Sequence, residues 1–133
     1  MSVVREFLFK GKRVDNGEWV EGQLSVSPYT KFWYIYPVDG NGTGYNVIPE
    51  TVGQFTGYLD KHGKKIFEFD IVRIDGEDCT FAISYSDQYM AYQLLYRDDC
   101  GGVYYCTFTK PNEFTMEVIG NCWENPEVFE VST

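Results

Sequence analysis

The sequence predicts a mainly β protein with little helix, and three observations carry that expectation. Aromatic residues make up 18% of the chain, and rings, like β-branched side chains, fit a pleated, half-buried surface. Glycines number 13 and fall with Asp, Asn, Ser and Pro in short clusters of turn character. Between those clusters, strand-like stretches recur at a spacing of roughly 8–12 residues, which is the pattern of a barrel or a sandwich. No long helical period is sustained, and no repeat of about 20–50 residues occurs.

The elements follow in order. A short apolar run at 3–9 leads through KGKRV to Asp15-Asn16-Gly17, where Asn-Gly suits a type I′ hairpin loop. A first hairpin is therefore expected with 6–14 against 18–26. Ser27-Pro28-Tyr29-Thr30 breaks the second strand. Phe32 to Tyr36 follows as a dense aromatic run, expected to be a strand buried on both faces. The glycine-rich loop 39–44 lacks the spacing of a phosphate cradle and is expected to be a hairpin tip. Tyr45 to Ile48 returns and stops at Pro49. Residues 51–56 are expected as a strand with a bulge or close approach at Gly53. Asp60-Lys61-His62-Gly63 closes a tight turn, Asp through an Asx turn and Gly through a positive φ. Strands are expected at 64–68, continuing over 70–74, and at 80–85 after the Asp75-Gly76 turn. Met90 to Tyr96 fits either a strand or a helical turn. Further strands are expected at 103–108 and, within 114–122, up to Gly120. Turns are expected at 98–102 and 110–112, and a short turn after Pro126, whose predecessor Asn125 is kept out of helix.

At 133 residues the chain is long enough to close a core without staples. Its net charge is −9, which opposes binding to nucleic-acid backbones. Two segments are basic, 1–14 at +3 and 61–74 at +2, whereas 15–60, 75–99 and 100–133 carry −5, −5 and −4. Cys79, Cys100, Cys106 and Cys122 form no CxxC pair, and His62 is the single histidine, so no Cys/His zinc motif is present. Four reduced thiols are expected. The opening residues, charged at Arg5 and Glu6, do not read as a signal peptide, and no apolar run reaches the length of a membrane span.

Candidate chemistry is sparse. His62 has no nucleophile in a recognisable elbow and is expected as an exposed turn residue. Glu68 and Asp70 are expected to share a strand face at i, i+2, a weak basis for a carboxylate site. Asp75, Glu77 and Asp78 form an acidic turn without EF-hand spacing. No catalytic, cofactor-binding or metal-binding residue is assigned.

Three stretches carry a resemblance: TVGQFTGYLDKHGKKIFEFDIV at 51–72, EVIGNCWENPEVF at 117–129 and REFLFKGKRVDNGEWVEG at 5–22. Together they resemble the YopX family of phage and prophage proteins. The resemblance implies an SH3-like barrel character, a phage or prophage origin and a bacterial cytoplasmic setting. It brings no catalytic residue to carry over. One departure stands out. Where the family pattern has glycine in an IFEGDIV-like segment, this chain has Phe69. Were that glycine needed for positive φ, Phe69 would bear a cost of about 1–2 kcal/mol. An extended, exposed Phe69, or one covered by a partner, is expected instead.

The reading is a single domain over 1–133, a small SH3-like barrel with additional antiparallel hairpins. It divides into an N-terminal β subdomain at 1–57 and a barrel subdomain at 58–133. The expected function is a non-catalytic binding or assembly module, acting on a protein partner or on its own copies, with no cofactor and no membrane. Phe69, Lys61, Lys64 and Lys65 form the candidate interaction surface. A nucleic-acid-associated small barrel using the 61–74 basic segment is the alternative.

Overall fold

The computed structural model describes residues 7–38, 40–97, 103–107 and 116–126, with backbone alone at 97 and 103–107. The turns expected at 98–102 and 110–112, the run at 3–6 and the turn after Pro126 lie outside them. The chain divides into two compact units, Met1–Phe55 and Thr56–Thr133. The architecture is mainly β, built of antiparallel sheets.

The first unit holds β1 (Phe9–Lys12), β2 (Trp19–Val26), β3 (Trp33–Tyr36), β4 (Tyr45–Val47) and the start of β5 (Gly53–Leu59), in the order β4-β3-β2-β1-β5. β1 pairs with β2 from Phe9↔Gly22 to Lys12↔Trp19, and β2 with β3 from Gln23↔Tyr36 to Val26↔Trp33. The sheet curls until the end of β1 meets β4. Arg13 and Val47 form an isolated bridge, flanked by Val14 N–H to Asn46 O and Ile48 N–H to Lys12 O, both at 2.9 Å. That one bridge does not close the sheet, which remains open. A three-residue β4 is too short to carry a continuous ladder.

Ile35 and Val47 are fully buried, and a Cβ on Gly11 would lie 3.1 Å from each of them. Phe32 to Tyr36 is not buried on both faces: Ile35 is enclosed, but Phe32 and Tyr36 are exposed. Alternation across a sheet with one wetted face explains the difference. Pro49–Thr51 forms a 3-10 turn in place of the expected strand start. Proline at its N-terminus supplies the required φ, and Thr51 Oγ1 donates to Ile48 O at 2.6 Å while accepting from Lys12 N–H at 2.9 Å.

The second unit contains the distal part of β5, its neighbour β6 (Lys65–Phe67), and a sheet of β7 (Asp70–Ile74), β8 (Thr80–Ser86), β9 (Ala91–Arg97), β10 (Val103–Thr107) and β11 (Met116–Asn121). The order of that sheet is β10-β9-β8-β7-β11, open at both ends among the described residues, so the SH3-like barrel expected over 58–133 gives way to an open sheet. Of the expected 90–96 segment, Ala91 onward is strand, whereas Met90 belongs to the preceding loop. Tyr92, Leu94 and Tyr96 alternate onto the face of Ile83 and Phe81. Ile66, Val72, Ile74, Phe81, Ile83, Leu94 and Met116 make the core, and enclosing each large side chain contributes about 1.5–3 kcal/mol.

One loop geometry recurs. Gly17, Lys31 and Met90 each occupy the last position of a four-residue hairpin loop with positive φ, at 75°, 67° and 53°. Arg13 pairs with Glu18 and Ser27 with Phe32 across the first two, and Ser86 with Ala91 across the third. The first loop is therefore longer than a type I′ turn, with Gly17 rather than Asn16 in the left-handed region.

Candidate functional site

The segment 58–74 supplies the backbone of the site. Asp60 is 8% exposed, and its carboxylate organises the turn that follows. Oδ1 accepts from His62 N–H at 2.8 Å and from Lys64 N–H at 2.9 Å, as an Asx turn requires, and Gly63 takes φ 81°. Oδ2 reaches β11 and accepts from Val118 N–H at 3.0 Å, next to Lys61 N–H donating to Met116 O at 2.8 Å. The turn thus occupies polar backbone groups along β11 as a further strand would. Burial pushes the Asp60 carboxyl up, but the Val118, Lys64 and His62 amides outweigh it and hold the group below the usual carboxylate range.

The expected interaction residues fall at different places on this frame. Lys61 Nζ is 3.2 Å from Asp75 Oδ1, so part of the 61–74 positive charge is met within the chain. Lys64 is exposed at the end of the turn and Lys65 opens β6. His62 is exposed as expected, with Nε2 at 2.8 Å from Glu117 Oε2.

Phe69 is neither extended nor exposed. Its φ is 76°, it is half-buried, and its ring packs edge-on to Trp123 at 5.7 Å. Its N–H donates to Ile83 O at 2.8 Å, and its carbonyl accepts from Cys122 N–H at 2.9 Å. Those two bonds hold the left-handed conformation although it carries a Cβ. The same turn overturns the shared strand face of Glu68 and Asp70. Glu68 sits in the turn, whereas Asp70 is 0% exposed, with Oδ2 accepting from Phe67 N–H at 2.8 Å. Next to it, Gly120 faces Asn125, whose Oδ1 would lie against any Cβ there and accepts from Asn121 N–H at 3.3 Å. Asn121 Oδ1 in turn accepts from Trp123 and Glu124 N–H, which fixes Trp123 beside Phe69.

Exposed apolar side chains gather on the four-residue loops, a feature the sequence reading passed over. In the first unit Tyr29 and Phe32 stand out at the β2–β3 tip, where Ser27 Oγ accepts from Tyr29 and Thr30 N–H. In the second unit Tyr89 and Met90 are 65% and 80% exposed at the β8–β9 tip, and Ser86 Oγ accepts from Tyr89 N–H at 3.2 Å. A serine four positions before the left-handed residue was the available signal.

Among the described residues no group of three or more His, Cys, Asp and Glu is placed to hold a metal ion, and Cys79 and Cys122 are free thiols. Burial raises both thiols above the ordinary range, chiefly by desolvation, which keeps them protonated and weakly nucleophilic. No helix of the described residues is long and apolar enough to cross a membrane.

Fold and surface together define a two-unit antiparallel β protein with aromatic hairpin tips. The family model described as YopX protein matches residues 6–130, and the chain belongs to that family. A search of the curated proteins gave no match.

Proposed function

We propose that this YopX-family chain is a non-catalytic binding or assembly module of phage or prophage origin, acting in the bacterial cytoplasm. The observation that carries the reading is the β8–β9 tip. Tyr89 and Met90 are exposed on a loop whose backbone is held by Ser86 Oγ and by the Ser86↔Ala91 pair. Large apolar side chains displayed on an ordered turn contribute little to a core. They contribute substantially when a partner removes them from water.

Nucleic acid is the weaker reading, because Lys61 is paired with Asp75 and His62 with Glu117 in a chain of net charge −9. Co-purification from phage-infected cells tests the proposal. The wild-type chain is expected to retain a protein partner, or a second copy of itself, that a Tyr89→Ser/Met90→Gly variant of undiminished thermal stability loses. Identical retention by both would overturn the assignment.

A further inference from the structure

The chain has two Asn-Gly steps, Asn16-Gly17 and Asn41-Gly42, alike in chemistry and unlike in how they are held. In each, the residue after the carboxamide lacks a Cβ, so its backbone nitrogen can approach the Asn Cγ with little crowding. In the first hairpin main-chain bonds oppose that approach. Gly17 N–H donates to Arg13 O at 3.1 Å, and Asn16 Oδ1 accepts from Glu18 N–H at 2.9 Å. Arg13 N–H also donates to Glu18 O at 2.8 Å, closing the loop. In the β3–β4 connection Asn41, Gly42 and Thr43 are all exposed, and a Cβ on Gly42 would meet no atom within 4 Å. Among the described residues no backbone carbonyl accepts from Gly42 N–H. Asn41 Oδ1 accepts instead from Thr43 Oγ1 at 2.7 Å. A hydroxyl donor turns with the carboxamide and offsets the negative charge that gathers on Oδ1 when a nucleophile adds to Cγ. Glu18 N–H could offset the same charge at Asn16, but only in the orientation its main chain dictates.

We infer that Asn41 is a site of non-enzymatic deamidation, assisted by Thr43, and that the fold protects Asn16 from the same reaction. Gly42 N–H gives its proton to hydroxide, and the nitrogen forms a bond to Asn41 Cγ. The bond from Cγ to the side-chain nitrogen then breaks, and ammonia leaves with a proton taken from water. Water adds to either carbonyl of the resulting succinimide and breaks one of its C–N bonds, giving Asp or isoaspartate. The sum is Asn and water to acid and ammonia, with nothing oxidised or reduced. Conversion takes the net charge from −9 to −10. The isoaspartate product also adds a methylene to the main chain just ahead of Gly44, where a Cβ would lie 2.5 Å from the Tyr36 ring. The reaction thus alters a connection whose fit to β3 is close, independently of any partner at the β8–β9 tip.

The test is timed incubation of the full chain at mildly alkaline pH, followed by peptide mapping that resolves Asn, Asp and isoaspartate at both positions. In the folded chain Asn41 is expected to convert about tenfold faster than Asn16 or more, the rate equivalent of the main-chain bonds that attack at Asn16 must break. Both acid products are expected at position 41, since the succinimide opens on either side. In denaturant the two rates are expected to converge, because the local sequence chemistry is the same. Thr43→Val, a change at an exposed position, is expected to slow Asn41 about threefold and leave Asn16 as it was. Equal rates in the folded chain, a difference that persists in denaturant, Asp formed without isoaspartate, or an unchanged rate in Thr43→Val would overturn the inference.

Discussion

The carboxylate of Asp60 and the backbone amide of Val118 meet at 3.0 Å across 58 positions of sequence. An anionic side chain thereby takes the place of a strand carbonyl along β11, and the same carboxylate binds two amides of its own turn. Removing the carboxylate altogether would take away three acceptor contacts at once. Asp60→Asn retains the shape but presents an amide N–H₂ to an N–H donor. It is expected to lower unfolding free energy by about 2 kcal/mol or more. Denaturant titration checks this, and amide exchange at Val118 should quicken more than exchange at Leu94.

The same group gives a pH dependence whose sign is determined. Asp60 has a folded-state pKa below its ordinary value, so its ionised form is favoured by folding. Its contribution is full above the usual carboxylate range and is lost as pH falls through the depressed value. The stability difference between wild type and Asp60→Asn should therefore be constant near neutrality and shrink below about pH 4. A difference that grows as pH falls would contradict the assignment.

Phe69 separates strain from packing. Its left-handed backbone costs about 1–2 kcal/mol, and its edge-on contact with Trp123 contributes about 0.5–1.5 kcal/mol. Phe69→Ala keeps the strain and loses the ring, whereas Phe69→Gly loses both. The glycine variant is thus expected to be the more stable of the two by about 1 kcal/mol, with folding intact, as read from melting temperatures. Light scattering on the same variant bears on whether Phe69 also serves an interface, since an unchanged oligomeric state would dismiss that role.

Lys31 and Met90 occupy the position that Gly17 fills in the first hairpin. Glycine carries no Cβ penalty there, so Lys31→Gly and Met90→Gly are each expected to raise stability by up to about 1 kcal/mol in thermal unfolding. A loss at either position would show that the side chain contributes more to packing than its exposure indicates.

Much of this was legible in the chain. The Asx turn at Asp60, the positive φ of Gly63 and the strands on either side follow from residue types whose local preferences agree with one another. The mainly β class follows from aromatic residues spaced between turn clusters. What escaped the sequence depends on partners distant along the chain. Asp60 reaches Val118 and Phe69 reaches Trp123, and no local pattern encodes either contact. The left-handed Phe69 contradicted local preference because two backbone bonds, to Ile83 and Cys122, outweigh it. The open sheets likewise depend on how far each ladder extends, which a three-residue β4 limits. The aromatic tips were readable as residues but not as surface, because only the strand register decides which rings point away from a core.

The most direct measurement of the proposed role is photocrosslinking in phage-infected cells from a benzoylphenylalanine placed at Tyr89, with exposed Glu50 as the reference position. The account predicts a discrete crosslinked protein species from position 89 that is absent from position 50. Equal crosslinking from both positions, or none from position 89, would contradict it.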